Sequence, residues 1–307
     1  MMVDNPLILV TGAAGSVGAV GHRVVKNLRR RDLRVRALVH REDERADALR
    51  STGAEVVVGD LARAEDVVRA LENCDRMYFG MGVSSQYLEA ALVTAAAARA
   101  QGQLRMFVNM SQMTVSQMDL TSTAESTQQR EHWLIEQVLD WSGLPVTHIR
   151  PTVFMENPMF SLFCFATIAQ DDTIRLPFGT GRTSPVAAGD VADAVAAVLA
   201  DPAPHVGRVY ELTGPVSQDM SAMAQEFGSV LGRPVSYIDT PYDQFVDELR
   251  RRGLPDHVVD HLSTMARLHA QNRYDRLTHD VEKITGHPAT GVRAYVEDNP
   301  ELFRPAT

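Results

Sequence analysis

Leu7-Ile8-Leu9-Val10-Thr11-Gly12-Ala13-Ala14-Gly15-Ser16-Val17-Gly18 is the stretch that decides the fold. Four apolar residues in a row read as a strand buried on both faces. Glycines at 12, 15 and 18 follow at once, and a helical pattern through Val24, Val25 and Leu28 comes next. Strand, glycine-rich turn and helix in that order form a dinucleotide-binding fingerprint. One glycine allows a tight turn, one lets the backbone approach a pyrophosphate, and one lets helix pack on strand, with the anion at the helix N-terminus. Gly12, Gly15, Ser16, Val17 and Gly18 are therefore expected at the cofactor. Gly21 repeats the spacing once more, so which three of the four glycines make the closest contacts stays open. A ligand-free glycine connector is the alternative, and the flanking strand and helix weigh against it.

Outward from that turn, short apolar runs alternate with helical patterns, the mark of repeated βα units and a parallel sheet. Strands are expected at Leu7–Thr11, Leu33–Val39, Glu55–Val58, Arg76–Phe79, Arg105–Met110 and Val146–Arg150. The spacing predicts helices over Ser16–Arg30, Glu42–Ser51, Ala64–Leu71, Gln86–Gln101 and Thr127–Trp141. After Arg150 the pattern changes. A loop and apolar helix over Phe154 to Ala169, helices at Val191–Leu199 and Ser221–Leu231, strands at Arg208–Leu212 and Val235–Tyr237, and helices from Tyr242 to Ala270 are expected. The fold class is α/β: a Rossmann-type doubly wound parallel sheet with a smaller, mostly helical α/β C-terminal substrate domain. Residues 1–152 with 184–214 are assigned to the first and 153–183 with 215–307 to the second, so the two interlace.

The 307 residues carry a formal charge of −9, which disfavours nucleic acid or an anionic membrane as a partner. A small apolar or aromatic substrate fits better. Cys74 and Cys164 are far apart and lie in no metal-binding pattern, so no metal is expected and the cytoplasm is the natural compartment. Asp4 in place of a basic start argues against a signal peptide, and the apolar run Met159 to Ala169 is too short to span a bilayer. The chain is expected to be a monomer or a homodimer.

NAD-type sites end the second strand with an acid that bonds the ribose 2′-hydroxyl and would repel a 2′-phosphate. Here that strand ends Val39-His40-Arg41, and the planar cation of Arg41 favours NADP(H) over NAD(H). A solvated Arg41 opening a loop beside Glu42, Asp43 and Glu44 is the alternative.

These residues, with Gly59-Asp60-Leu61, Gly143-Leu144-Pro145-Val146-Thr147-His148-Ile149-Arg150-Pro151, Glu156-Asn157, Asp190-Val191-Ala192 and Asp280 to Gly286, resemble the NmrA-like family of atypical short-chain dehydrogenases/reductases over nearly the whole chain. The resemblance implies that Asp60 and Leu61 lie beside the adenine and that Gly80, Met81 and Gly82 border the cofactor. It also implies that Pro151, Thr152, Val153 and Phe154 approach the nicotinamide. Asp60 is open to a second reading as the N-cap of the helix beginning at Ala64. Related reductases use Ser, Tyr and Lys. The serine resembles Ser111, while the Tyr-x-x-x-Lys pair falls on Gln128-x-x-x-His132. Glutamine has no ionisable proton, whereas a histidine titrating near neutrality would donate one. A helix-surface role for His132 and a strand-end role for Ser111 are the alternatives.

Phe154 to Phe178 is rich in large apolar side chains, and it follows the last strand at the carboxyl edge where such sheets bind ligands. Tyr87, Met113, Met155 and Phe160 are named as candidate substrate contacts, and Met118 lies near them in the same reading; a plain core stripe is the competing one. Two functions are carried forward. One is an NAD(P)H-dependent oxidoreductase passing hydride to a quinone-, azo- or enone-like electrophile. The other is a catalytically inactive NADP(H)-sensing regulatory protein of the family's namesake type.

Overall fold

In the computed structural model, residues 5–15 and 17–304 are described, so the expectation for Ser16 lies outside the described residues. The first half runs β1 (Leu7–Val10), α1 (Val20–Arg29), β2 (Arg34–Val39), α2 (Glu44–Ser51), β3 (Glu55–Val58), α3 (Ala64–Leu71), β4 (Arg76–Phe79), α4 (Tyr87–Gln101), β5 (Met106–Met110), α5 (Thr127–Trp141) and β6 (Val146–Pro151). The second half runs α6 (Pro158–Phe160), α7 (Ala166–Asp171), β7 (Thr173–Leu176), α8 (Ala188–Ala200), β8 (Val209–Leu212), α9 (Met220–Leu231), β9 (Ser236–Asp239), α10 (Tyr242–Arg251), α11 (Asp256–Ala270), α12 (Asp280–Thr285) and α13 (Val292–Asp298).

Seven strands form one parallel sheet in the order β3-β2-β1-β4-β5-β6-β8. β1 is wholly apolar and buried because helices cover both faces of the sheet. On one face Val24, Val25 and Leu28 of α1 meet Val191, Val195 and Val198 of α8. On the other, Leu71, Phe107, Ile135 and Leu139 close a second core. Strand order reverses between β1 and β4, so a crevice opens beyond their carboxyl ends. Thr11 pins the two sides together: its Oγ1 donates to the Gly80 carbonyl and accepts from the Gly80 amide, each at 3.0 Å.

α5 starts with a capping box in which Ser126 and Gln129 satisfy each other's backbone amides. It is held to β6 by Glu136 and Arg150, the carboxylate almost fully buried and the guanidinium largely so. The C-terminal lobe packs Phe160, Phe165, Phe178, Phe227 and Phe245 into a third core between the parallel β7–β9 pair and the late helices. The edge of β8 is covered: Arg276 ion-pairs with Glu211 at 3.0 Å, Thr278 donates to Thr213 Oγ1 at 3.1 Å, and Asp280 accepts the Glu211 amide at 3.0 Å. Among the described residues, no helix is long and apolar enough to cross a membrane and no cluster of ligands could hold a metal ion.

Three local readings of the sequence change. α1 begins at Val20 rather than Ser16, because Gly18 and Ala19 both take left-handed backbone, with φ of 61° and 48°. The loop and apolar helix expected over Phe154 to Ala169 form as a loop and an unbroken helical run, but its middle turn, Ser161–Phe165, between α6 and α7, is π rather than α. β7 was not foreseen, and it supplies the parallel partner of β9.

Candidate active site

The crevice between β1 and β4 continues into a cleft of about 490 Å³ reaching from the glycine turn to α11. Its floor is backbone. Gly12 has φ +63°, and a Cβ there would stand 2.4 Å from the Gly80 carbonyl oxygen. A Cβ on Gly21 would stand 2.6 Å from the Gly12 oxygen, and one on Gly18 would meet the Ala188 side chain at 2.4 Å. The fourth glycine is thus the one that brings helix onto turn, because α1 starts one turn later than the spacing implies. Gly15 has more room, with the Gly12 oxygen 3.1 Å from its hypothetical Cβ.

This turn fits an anion. α1 has no side chain capping its first amides and no acid in its first turn, so the partial positive charge there is left facing the cleft. Among the described lining residues there is no carboxylate, and the cation is Arg45, whose Nη1 donates to the Ala14 carbonyl at 3.0 Å. Arg41, the expected phosphate contact, is exposed and outside the lining. The turn residues Gly12, Gly15 and Val17 line the cleft, as do Gly80, Met81, Gly82, Pro151, Thr152, Val153 and Phe154. Gly18, Asp60 and Leu61 are outside the lining. Asp60 is not the helix cap either. Arg63 occupies that position, and Asp60 closes a turn by accepting the Ala62 amide at 2.9 Å.

Two hydroxyls fit a polar ligand. Ser111 Oγ and Thr152 Oγ1 are both buried at the cleft wall and lack a hydrogen-bond partner within the protein. A buried hydroxyl left unpaired costs roughly 1–3 kcal/mol, which a carboxamide or carbonyl group in the cleft would recover.

Beyond them α5 presents Gln128 and His132, one turn apart and on its buried face. Burial, reinforced by the nearby charge of His261, pushes the His132 imidazole down to about 3. It is neutral across the physiological range. The expectation that it donates a proton near neutrality is therefore corrected: desolvation outweighs the intrinsic basicity of the ring. His261 of α11 also lines the cleft; burial takes it down to about 4, and its Nδ1 lies 2.9 Å from Ser126 Oγ.

Of the expected substrate contacts, Met113 lines the cleft. Met155 and Phe160 are packed in the C-terminal core, and Met118 does not reach the cleft wall. Tyr87 is fully buried behind the wall, its hydroxyl 2.7 Å from His132 Nδ1. The far wall, Val258, His261, Leu262, Met265 and Tyr274, escaped sequence reasoning. Its apolar residues at 258, 262 and 265 show one face of a helix, but nothing local says what that face covers.

The NmrA-like family matches residues 4–295 of this chain. A (4-alkanoyl-5-oxo-2,5-dihydrofuran-3-yl)methyl phosphate reductase of Streptomyces griseus subsp. griseus is 30% identical over 299 residues, 97% of this chain and 100% of its own. The crystal structure of an NADPH-dependent quinone oxidoreductase of Escherichia coli complexed with NADPH superposes with a TM-score of 0.81 at 24% identity, covering 95% of this chain and 99% of that one. The triphenylmethane reductase of Citrobacter sp. complexed with NADP(H) gives a TM-score of 0.79 at 20% identity, covering 95% and 99%. At those identities the two structures speak to the fold. With the sheet order, the glycine turn and a match of this length in agreement, the chain belongs to the NmrA-like family.

Proposed function

We propose that the protein is an NADP(H)-dependent reductase that passes hydride to a small, uncharged, conjugated acceptor of the quinone, azo or enone type. The observation that carries this reading is the cleft itself. It joins an anion-fitting glycine turn to unpartnered Ser111 and Thr152 hydroxyls, and then to a chamber whose described walls bear neither acid nor cation. Reduced nicotinamide, when bound, supplies the hydride. The chain's own groups orient and enclose: Gly12 and Gly15 admit the diphosphate, and Thr152 and Ser111 offer hydroxyls to the reacting end. Val258, Leu262 and Met265 keep water from the acceptor.

The kinship supports reduction, since the Streptomyces relative, 30% identical over nearly the whole of both chains, is named a reductase. The Streptomyces relative is named for a phosphate ester. A phosphorylated acceptor does not suit this chamber, because the one cation on the described walls, Arg45, sits at the glycine turn.

A sensor that binds coenzyme without turnover is the second reading, favoured by the low proton affinity of His132 and His261, which leaves neither as an acid at neutral pH. The deciding experiment is to mix purified protein with NADPH and a panel of quinones, azo dyes and enones and to follow nicotinamide absorbance. Oxidation that depends on the acceptor supports the reductase; tight NADPH binding with no oxidation across the panel overturns it in favour of the sensor.

Arg45 is the group proposed to select the 2′-phosphate. Its charge is partly offset by Asp43, to which it is ion-paired, so the effect is modest. Arg45→Ala is expected to raise the Kd for NADPH about five- to tenfold and leave that for NADH unchanged, read by calorimetry. Equal effects on the two coenzymes would remove Arg45 from this role.

A further inference from the structure

We infer that Gln128 and His132 form a two-donor receptor for a single acceptor oxygen, with Ser84 and Tyr87 behind them as positioning residues. This rests on the reductase reading, and it narrows the substrate class to acceptors whose carbonyl or quinone oxygen takes up negative charge on reduction.

The hydrogen-bond pattern assigns which atoms face the cleft. Gln128 Oε1 accepts the Ser84 amide at 3.1 Å, so the carbonyl end of that side chain is used up and its NH2 end is turned toward His132. Tyr87 is fully buried, and burial and the nearby carboxylates of Glu136 and Glu131 keep its phenol protonated. A buried O–H needs an acceptor, and His132 Nδ1 at 2.7 Å is the partner it has. The ring, being neutral, then carries its own proton on Nε2. That nitrogen lies 3.4 Å from Gln128 Nε2. This is long for a bond between the two, and it is the right spacing for both to donate to one oxygen at about 2.9 Å from each. Both residues line the cleft beside Ser111.

The chemistry follows from two neutral donors. A hydride forms a new C–H bond on the acceptor carbon while the π electron pair of that carbon moves through the conjugated system to the oxygen. The acceptor gains two electrons and the nicotinamide loses them. The oxygen is anionic until it takes a proton from water, and in the meantime the two N–H groups stabilise it without giving up their own protons. A cationic dye, which ends with no charge on oxygen, gains nothing from such a receptor.

The test uses the whole protein and three readouts. Para-nitrophenol serves as a coloured oxygen anion. On the wild-type protein the bound probe is expected to ionise at lower pH than in water, and Gln128→Leu and His132→Phe are each expected to abolish the shift. Nitrogen NMR of the imidazoles is expected to find the His132 proton on Nε2, and Tyr87→Phe to move part of it to Nδ1. With NADPH and a para-quinone, kcat is expected to fall about a hundredfold in Gln128→Leu or His132→Phe, with the Kd for NADPH unchanged. A proton on Nδ1 in the wild-type protein, no binding of the phenolate, or a probe that ionises as in water would overturn the receptor. Full quinone turnover in both variants would overturn it too while leaving the reductase reading standing. A wild-type protein that shifts the probe but never oxidises NADPH would instead defeat the reductase reading.

Discussion

Gly12→Ala is expected to cost the protein most of its affinity for coenzyme and part of its stability. At φ +63° any side chain pays for left-handed backbone, about 1–2 kcal/mol. The added methyl would also lie 2.4 Å from the Gly80 carbonyl oxygen and 3.0 Å from its carbon, and these are backbone atoms already fixed by Thr11. Relief requires the ends of β1 and β4 to part, which dismantles the crevice that would hold the diphosphate. The Kd for NADPH is expected to rise at least about a hundredfold, equivalent to roughly 3 kcal/mol. Gly143→Ala separates the two causes. Gly143 also has positive φ, at +76°, but nothing lies within 4 Å of its hypothetical Cβ. It should lose only the backbone cost and bind NADPH normally. If Gly12→Ala behaved like Gly143→Ala in both calorimetry and thermal melts, the close approach of turn to β4 would have no energetic weight.

Acidification should unfold the protein early, and the cause is three buried neutral histidines. Burial lowers His132 to about 3, His261 to about 4 and His269 to about 3, each from 6.5. A group whose folded value is depressed binds more protons in the unfolded chain. Its contribution is therefore complete above the unfolded value of 6.5 and is lost as pH falls toward 3 or 4. Each histidine contributes a slope approaching about 1.4 kcal/mol per pH unit in that window. Three acting together would exhaust a typical stability of about 5–15 kcal/mol within a few units.

His269 is the clearest single test. It is stacked between Phe178 and Tyr274 at centroid distances of 4.0 and 3.7 Å. Its Nδ1 donates to the Met265 carbonyl at 2.7 Å, which leaves Nε2 to accept from Thr183 Oγ1 at 3.3 Å. Urea midpoints measured between about pH 6.5 and 5 should fall steeply in the wild-type protein, and the slope should drop by about a third in His269→Phe. Comparing slopes removes the variant's own loss of packing. A flat profile, or a slope the substitution leaves untouched, would contradict the assignment.

Much of the sheet is legible in the sequence. Strands buried on both faces are short, mostly apolar runs, and Leu7–Val10, or Met106–Met110 despite its buried Asn109, need no partner to be recognised. The glycine turn is equally plain. What escapes is set by distance in space. Arg41 and Arg45 lie four residues apart near the same strand end, and only the path of the loop into α2 decides which reaches the cleft. Met155 and Phe160 read as cleft wall because they follow the last of the early strands, yet the π turn at Ser161–Phe165 and the late helices cover them. Thr173–Leu176 alternates over only four residues, too few to stand out. His132 is half visible: its spacing from Gln128 is in the sequence, while its titration depends on burial and on His261, 129 positions away.

After β6 the chain leaves the sheet and returns as β8, and it later lays residues 276–280 along that strand. The cleft is consequently lined by separate stretches of the chain, the glycine turn, strand ends and α5 up to Pro158 on one side and residues 258–274 on the other. Substitution in 258–274 would therefore reshape the far wall while leaving the glycine turn in place.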